Sequence, residues 1–141
     1  MRVFLAANIL FSAAASHSRL RALLGVVARH GECITNGYAV EEARRNLVLK
    51  QPDVVPQFEN LVRDLEQVSG LVTNLPVKIA AKDVPILGGA IGSRATHLLT
   101  GDERDFGIYF GKAIRGGEGC FPSIVSGRTR QTWLAIVGYD L

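Results

Sequence analysis

Three consecutive apolar residues near the start of the chain, Val3, Phe4 and Leu5, show no alternation of polar and apolar side chains. A strand with one wet face alternates. An unbroken run of this kind belongs to a strand covered on both faces, as in the middle of a parallel sheet. Parallel neighbours are joined by crossovers, usually helices, so the rest of the chain has to supply strands and helices in turn.

It does so as far as about residue 107. Ser18 offers an N-cap to a helix over residues 19–29, where Leu20, Leu23, Leu24 and Val27 recur at helical spacing and Gly31 follows as a stop. Residues 32–35 predict a short second strand, Asn36-Gly37 a turn, and residues 38–49 a helix ended by Pro52. Val55, Phe58, Leu61, Val62 and Leu65 form a helical stripe within residues 54–68, closed by Ser69-Gly70, and residues 71–73 predict a third strand. An acid just before a proline, at Asp83 and Pro85, opens a helix over residues 86–94. Its Gly88, Gly89 and Gly92 each cost up to about 1 kcal/mol against alanine, which predicts an element that is weak or tightly packed on a neighbour. Residues 97–100 are the fourth strand, and Gly101-Asp102 turns the chain out of it. Glycines dilute the pattern beyond Gly107, and a last edge strand is expected near residues 120–125. The expected architecture is a three-layer α/β/α domain with right-handed crossovers and a central, mostly parallel sheet of four or five strands. It spans residues 1–125, with residues 126–141 an unassigned tail.

Composition excludes little. Of 141 residues, 48% are apolar and 21% charged, enough to fill one core. The net charge of +3 permits a nucleic-acid partner without demanding one. Cys33 and Cys120 have neither a CxxC spacing nor a histidine cluster, which predicts free thiols and no zinc site. Met1-Arg2, the apolar run over residues 3–11 and the small residues at 12–15 imitate a secretory signal. Against that reading stand the single basic residue, Asn8 inside the run, and the loss of the best strand on cleavage. The run is also too short to span a membrane, so the cytoplasm is the expected location.

Ligands of an open parallel sheet gather at the carboxyl ends of its strands, where strand order reverses. Two segments fit that place: Ala6-Ala7-Asn8 after the first strand, and residues 101–105 after the fourth. Asp102 and Asp105, three apart at the opening of a helix, can face one oxygen-seeking cation, or they can be an N-cap and an ordinary first-turn acid. Spacing leaves both readings open. Asp83 can equally be a cap before Pro85, and Glu42 a solvated charge beside Arg45. His17, His30 and His97 have no mutual spacing that makes a ligand set.

Four segments carry a resemblance: VFLAANILFSA at 3–13, YAVEEARRNL at 38–47, KDVPILGGAI at 82–91 and ATHLLTGDERDF at 95–106. In that order they resemble the acidic motifs of PIN-domain ribonucleases, including the VapC-like toxins of prokaryotic toxin–antitoxin modules. The resemblance implies a metal-dependent endoribonuclease that uses Mg²⁺ or Mn²⁺. Asp83, Asp102 and Asp105 become its metal acids, Glu42 the acid carried on a helix, and Asn8 and Thr35 supporting groups. Arg104, then Lys112 and Arg115, are the cations best placed to meet RNA phosphates. A cognate antitoxin and a homodimer built on helices between residues 18 and 68 are the implied partners. The departure is at position 6, where the family's central aspartate is replaced by Ala6, whose methyl group neither coordinates a cation nor accepts a hydrogen bond. Two functions follow: an endoribonuclease toxin impaired at this position, or an inactive PIN-like module that binds RNA or a protein. A nucleotide-binding or phospho-receiver domain is disfavoured, because no glycine-rich phosphate loop follows the first strand and an alanine stands where acids are needed.

Overall fold

The computed structural model describes residues 1–115 and 120–127. In chain order the elements are β1 (Arg2–Leu5), α1 (Ala7–Ser12), α2 (Arg19–His30), β2 (Glu32–Thr35), α3 (Gly37–Lys50), α4 (Val55–Asp64) and β3 (Glu66–Gln67). They continue with α5 (Val84–Gly92), β4 (His97–Thr100), α6 (Glu103–Phe106), β5 (Ala113–Arg115) and β6 (Cys120–Ser126). The strands make one sheet in the order β3-β2-β1-β4-β6-β5, flanked by helices. Every pairing is parallel except β5 with β6.

Covered on both faces, β1 is the strand that its unbroken apolar run predicts. Val3, Phe4 and Leu5 are 0% exposed, and burial of each such side chain is worth roughly 1.5–3 kcal/mol. On one side β1 pairs with β2, and on the other Val3, Phe4 and Leu5 stand opposite His97, Leu98 and Leu99 of β4. Strand order therefore reverses at β1. The crevice between the carboxyl ends of β1 and β4 is the switch point at which such sheets bind ligands. Among the described residues no helix is long and apolar enough to cross a membrane. The apolar run that imitates a leader peptide forms β1 and α1 in the core.

Helix starts follow the chemistry of their caps. The Ser18 hydroxyl accepts from Arg21 N at 3.1 Å, and the Asn36 side chain accepts from Ala39 N at 3.0 Å. The differences from expectation lie elsewhere. The helix expected over residues 54–68 stops at Asp64, where Leu65 turns extended (φ −95°, ψ 141°), so Glu66–Gln67 reaches β2 first and takes the edge position. Residues 71–73 consequently form no strand; Val72 N–H donates instead to Gly88 O at 3.0 Å and lays its loop on α5. The strand near residues 120–125 is present as β6, but it lies inside the sheet, because the three-residue β5 folds back antiparallel and becomes the edge. Among the described residues the sheet has six strands, not four or five. Of the expected tail, Ser126 closes β6, and residues 128–141 lie outside the described residues.

The glycines of α5 resolve as tight packing. A methyl group at Gly88 would stand 2.0 Å from Val72 O, and one at Gly92 would stand 2.7 Å from the carbonyl carbon of Gly70. Both obstacles are backbone, which cannot swing aside. Gly88→Ala should therefore destabilise the protein by about 1–3 kcal/mol in denaturant titration, despite the better helix propensity of alanine. Gly25→Ala in α2, with nothing within 4 Å of the added methyl, should stabilise it by roughly 0.5–1 kcal/mol.

Candidate metal centre

Side-chain hydrogen bonds lock together the two loops that leave β1 and β4. Ala6 N–H donates to Leu99 O at 3.0 Å, continuing the ladder past the end of β1. The Asn8 amide then spans the crevice: its Oδ1 accepts from Gly101 N at 2.9 Å, and its Nδ2 donates to the Thr100 hydroxyl at 3.3 Å. Thr100, fully buried, accepts in turn from Asp102 N at 3.1 Å. Asn8 thus ties the loop after β1 to the loop after β4. Thr100 escaped the sequence reading, because a threonine at the end of a strand carries no signal of its own.

Asp102 serves two purposes. Its Oδ1 accepts from Asp105 N at 3.1 Å and caps α6, while Oδ2 faces the Lys82 ammonium at 3.6 Å. The N-cap reading and the cation reading are therefore compatible. Asp83 occupies the N-cap position of α5 but makes no capping hydrogen bond. It is 8% exposed, and its Oδ2 is buried without a hydrogen-bond partner. Asp83, Asp102 and Asp105 each offer one carboxylate oxygen, and the three oxygens lie within 4.8 Å of one another. Lys82 Nζ stands 3.0 Å from Asp105 Oδ2.

Burial pushes the Asp83 carboxyl up to about 7, and the neighbouring Asp105 carboxylate adds to the effect. Asp105 moves the other way, lowered first by Lys82 and then by Asp83. Two carboxyl groups this close hold one proton between them, and the proton stays with the more buried member. Lys82 is itself raised, chiefly by its hydrogen bond with Asp105.

A cleft of about 260 Å³ opens over this cluster. Ala6 and Asn8 line it, as do Glu42 and Lys50 from α3, Phe11 from α1, and Lys82. Glu42 is half-buried on the α3 wall, outside the three-aspartate group. Thr35 supports the site from behind: fully buried, it donates its hydroxyl to Leu5 O at 2.9 Å and braces the end of β1. Arg104 and Lys112 are exposed and do not line the cleft. Arg115 contributes its backbone to β5, and its side chain lies outside the described residues. The cations that do line the cleft are Lys82 and Lys50, whose Nζ sits 5.9 Å from the centre of the Phe11 ring. Lys82 carries no sequence signal of its own, because a lysine beside an acid is most often solvated. His97, half-buried at the start of β4, sits at the other end of the strand from this site, with Nδ1 2.8 Å from the Thr96 hydroxyl.

No family model matches the sequence, and no curated protein matches it. Among solved structures, a chain of the crystal structure of VapBC2 from Rickettsia felis bound to a DNA fragment from their promoter superimposes with a TM-score of 0.63. The alignment covers 89% of this chain and 97% of that one at 17% identity. The two chains share a fold. The likeness bears out the PIN-like α/β architecture implied by the four sequence segments.

The buried Asp83 makes stability depend on pH. Its folded value of about 7 lies above the ordinary 3.8, so between those values the folded state binds the proton more tightly than the unfolded chain. The cost of burying the charge is absent below the unfolded value and fully felt above the folded one. In chelator, the melting temperature should therefore rise as pH falls from about 8 to about 5. Asp83→Asn should flatten the profile and, at the alkaline end, gain about 1–3 kcal/mol, the scale of a buried polar group left unsatisfied.

Proposed function

We propose that this chain is a metal-dependent endoribonuclease of the PIN type, the toxin of a toxin–antitoxin pair, weakened by Ala6. The observation that carries the reading is the convergence of Asp83, Asp102 and Asp105 at the switch point of a PIN-like sheet. The residues fit a divalent cation: the donors are hard carboxylate oxygens, and one of them, Asp83 Oδ2, is buried with no partner of its own. Mg²⁺ or Mn²⁺ held there would lower the pKa of a bound water and offset charge developing on a phosphodiester.

The protein's own residues do the rest. Asp102 is aimed by its capping bond and Asp83 is fixed at the head of α5, so the cluster needs little rearrangement. The Asn8 brace keeps the two loops together when charge in the cleft changes. Glu42 on the opposite wall supplies a further acid, positioned to orient water or complete the ligand set. Arg104 and Lys112 would meet RNA phosphates outside the cleft and Lys50 within it; Arg115 is a further cation of the sequence that would serve the same end. The weak point is Ala6, whose methyl group lines the cleft where the resemblance calls for a carboxylate. That feature also favours the second reading, an inactive PIN-like module that binds RNA or a protein. The neighbour is a VapBC complex bound to promoter DNA, which supports a cognate antitoxin as partner.

Ala6→Asp decides between the two readings. The substitution should tighten Mn²⁺ binding by at least about tenfold, since even groups behind the direct ligands contribute that much at metal sites. It should also switch on cleavage of a structured RNA that chelator abolishes. Asp102→Asn in the Ala6→Asp background should then reduce cleavage by roughly 10²-fold or more. An Ala6→Asp protein that folds, binds Mn²⁺ and still leaves a broad panel of RNAs intact would give the case to the binding module.

We also expect a homodimer, with the helices between residues 18 and 68 in the contact. Tyr38, Val48 and Leu49 on α3 are exposed apolar side chains available to such an interface. Sedimentation at high protein concentration should show a dimer, and Leu49→Glu should shift it to monomer; a monomer at every concentration would rule the interface out.

A further inference from the structure

We propose that Lys82 is a tethered counter-cation of the carboxylate cluster, which a divalent ion must displace before it can bind; this rests on the reading of the cluster as a cation site. Lys82 lies on the short turn Ala81–Asp83 ahead of α5, whereas Asp102 and Asp105 belong to the β4–α6 connection. Its Nζ reaches across to both, 3.0 Å from Asp105 Oδ2 and 3.6 Å from Asp102 Oδ2. Asp105 Oδ2 is moreover shielded from water, with the ammonium set against it at 3.0 Å. The ammonium therefore serves the lone pairs that a metal would use.

The competition is electrostatic. A divalent ion sits about 2.0–2.6 Å from its carboxylate oxygens, so an ion held by Asp105 Oδ2 would lie no more than about 5–6 Å from an ammonium in its present place. Like charges at that separation repel, and one of them leaves. Lys82 is able to leave, because its side chain is 62% exposed and runs out through solvent. In the metal-free protein it offsets repulsion among the three acids and links α5 to the loop after β4. Once displaced, it stays at the rim of the cleft that it lines.

The test is a Mn²⁺ titration of the protein without RNA, read by the electron paramagnetic resonance of free Mn²⁺. Lys82→Gln should bind Mn²⁺ about two- to fivefold more tightly than the unmodified chain, the scale set by solvent-exposed ion pairs. The difference should shrink as monovalent salt is raised. In chelator the same variant should melt at a lower temperature, and Lys82→Arg should restore both properties. Lys50→Gln removes the same charge from the same cleft, but Lys50 makes no ion pair with the cluster, and its effect should be smaller. Equal or weaker binding by Lys82→Gln, or an equal gain from Lys50→Gln, would overturn the counter-cation role and leave the metal site standing. Absence of Mn²⁺ binding in every variant, including Ala6→Asp, would overturn the metal site and the competition together.

Discussion

The parallel pairing of β1 with β4 is the constraint on which the rest of this molecule depends. It brings together two chain segments more than ninety residues apart and ends both at the same level, Leu5 against Leu99. Backbone groups past a strand end have lost their ladder partners, and buried polar groups must find others. Here the amide of Asn8 provides them, satisfying Gly101 N–H with one atom and the Thr100 hydroxyl with the other. The cleft is thus held by the sheet on one side and by a single side-chain amide on the other. An aspartate in place of Asn8 would accept from Gly101 but could not donate to Thr100, and it would add charge where three acids already crowd.

Crowding on that scale has to be relieved, and the structure relieves it twice. Burial keeps a proton on Asp83 up to about pH 7, which removes one of three negative charges. Lys82 then brings a positive charge to the remaining two. Both devices are local and reversible: a cation can expel a proton from a carboxyl group and push aside an exposed ammonium. A cluster buffered in this way keeps its like charges together with no cation but the ammonium of Lys82.

Much of this was readable in the residues, and the failures have physical causes. The strand at 97–100, the cap at Ser18, and the central position of Val3-Phe4-Leu5 are local patterns with one strong interpretation, and the structure has all of them; Asn36, read as part of a turn, is the N-cap of α3. The helix α1 was missed because it is six residues long and Ala6 offers no capping side chain to announce it. The strand expected at 71–73 yielded to a tertiary contact, the seat that Gly88 provides for Val72, which no window of sequence around residue 72 contains. At the site, Asp83, Asp102 and Asp105 were brought together as the resemblance implied, because they lie at strand and helix ends whose positions the fold determines. Lys82 was not legible: a lysine beside an acid is most often solvated, and only its reach across to a separate loop distinguishes it.

Position 6 and position 102 stand in equivalent places, and the comparison shows what the alanine removes. Each follows a strand and is the N-cap of a short helix, Ala6 for α1 and Asp102 for α6. Asp102 divides its two oxygens, giving one to the helix and the other to the cleft. Ala6 has the extended backbone of an N-cap, with φ −71° and ψ 165°, yet no side chain to cap with. An aspartate there would find helix N–H groups for one oxygen and leave the second for a cation, as Asp102 does. The alanine therefore takes away a cap and, on the proposed reading of the cleft, a ligand with it. It also spares the cleft one more negative charge beside the three aspartates and Glu42. In this chain one methyl group thus alters both the capping of α1 and the charge of the cleft.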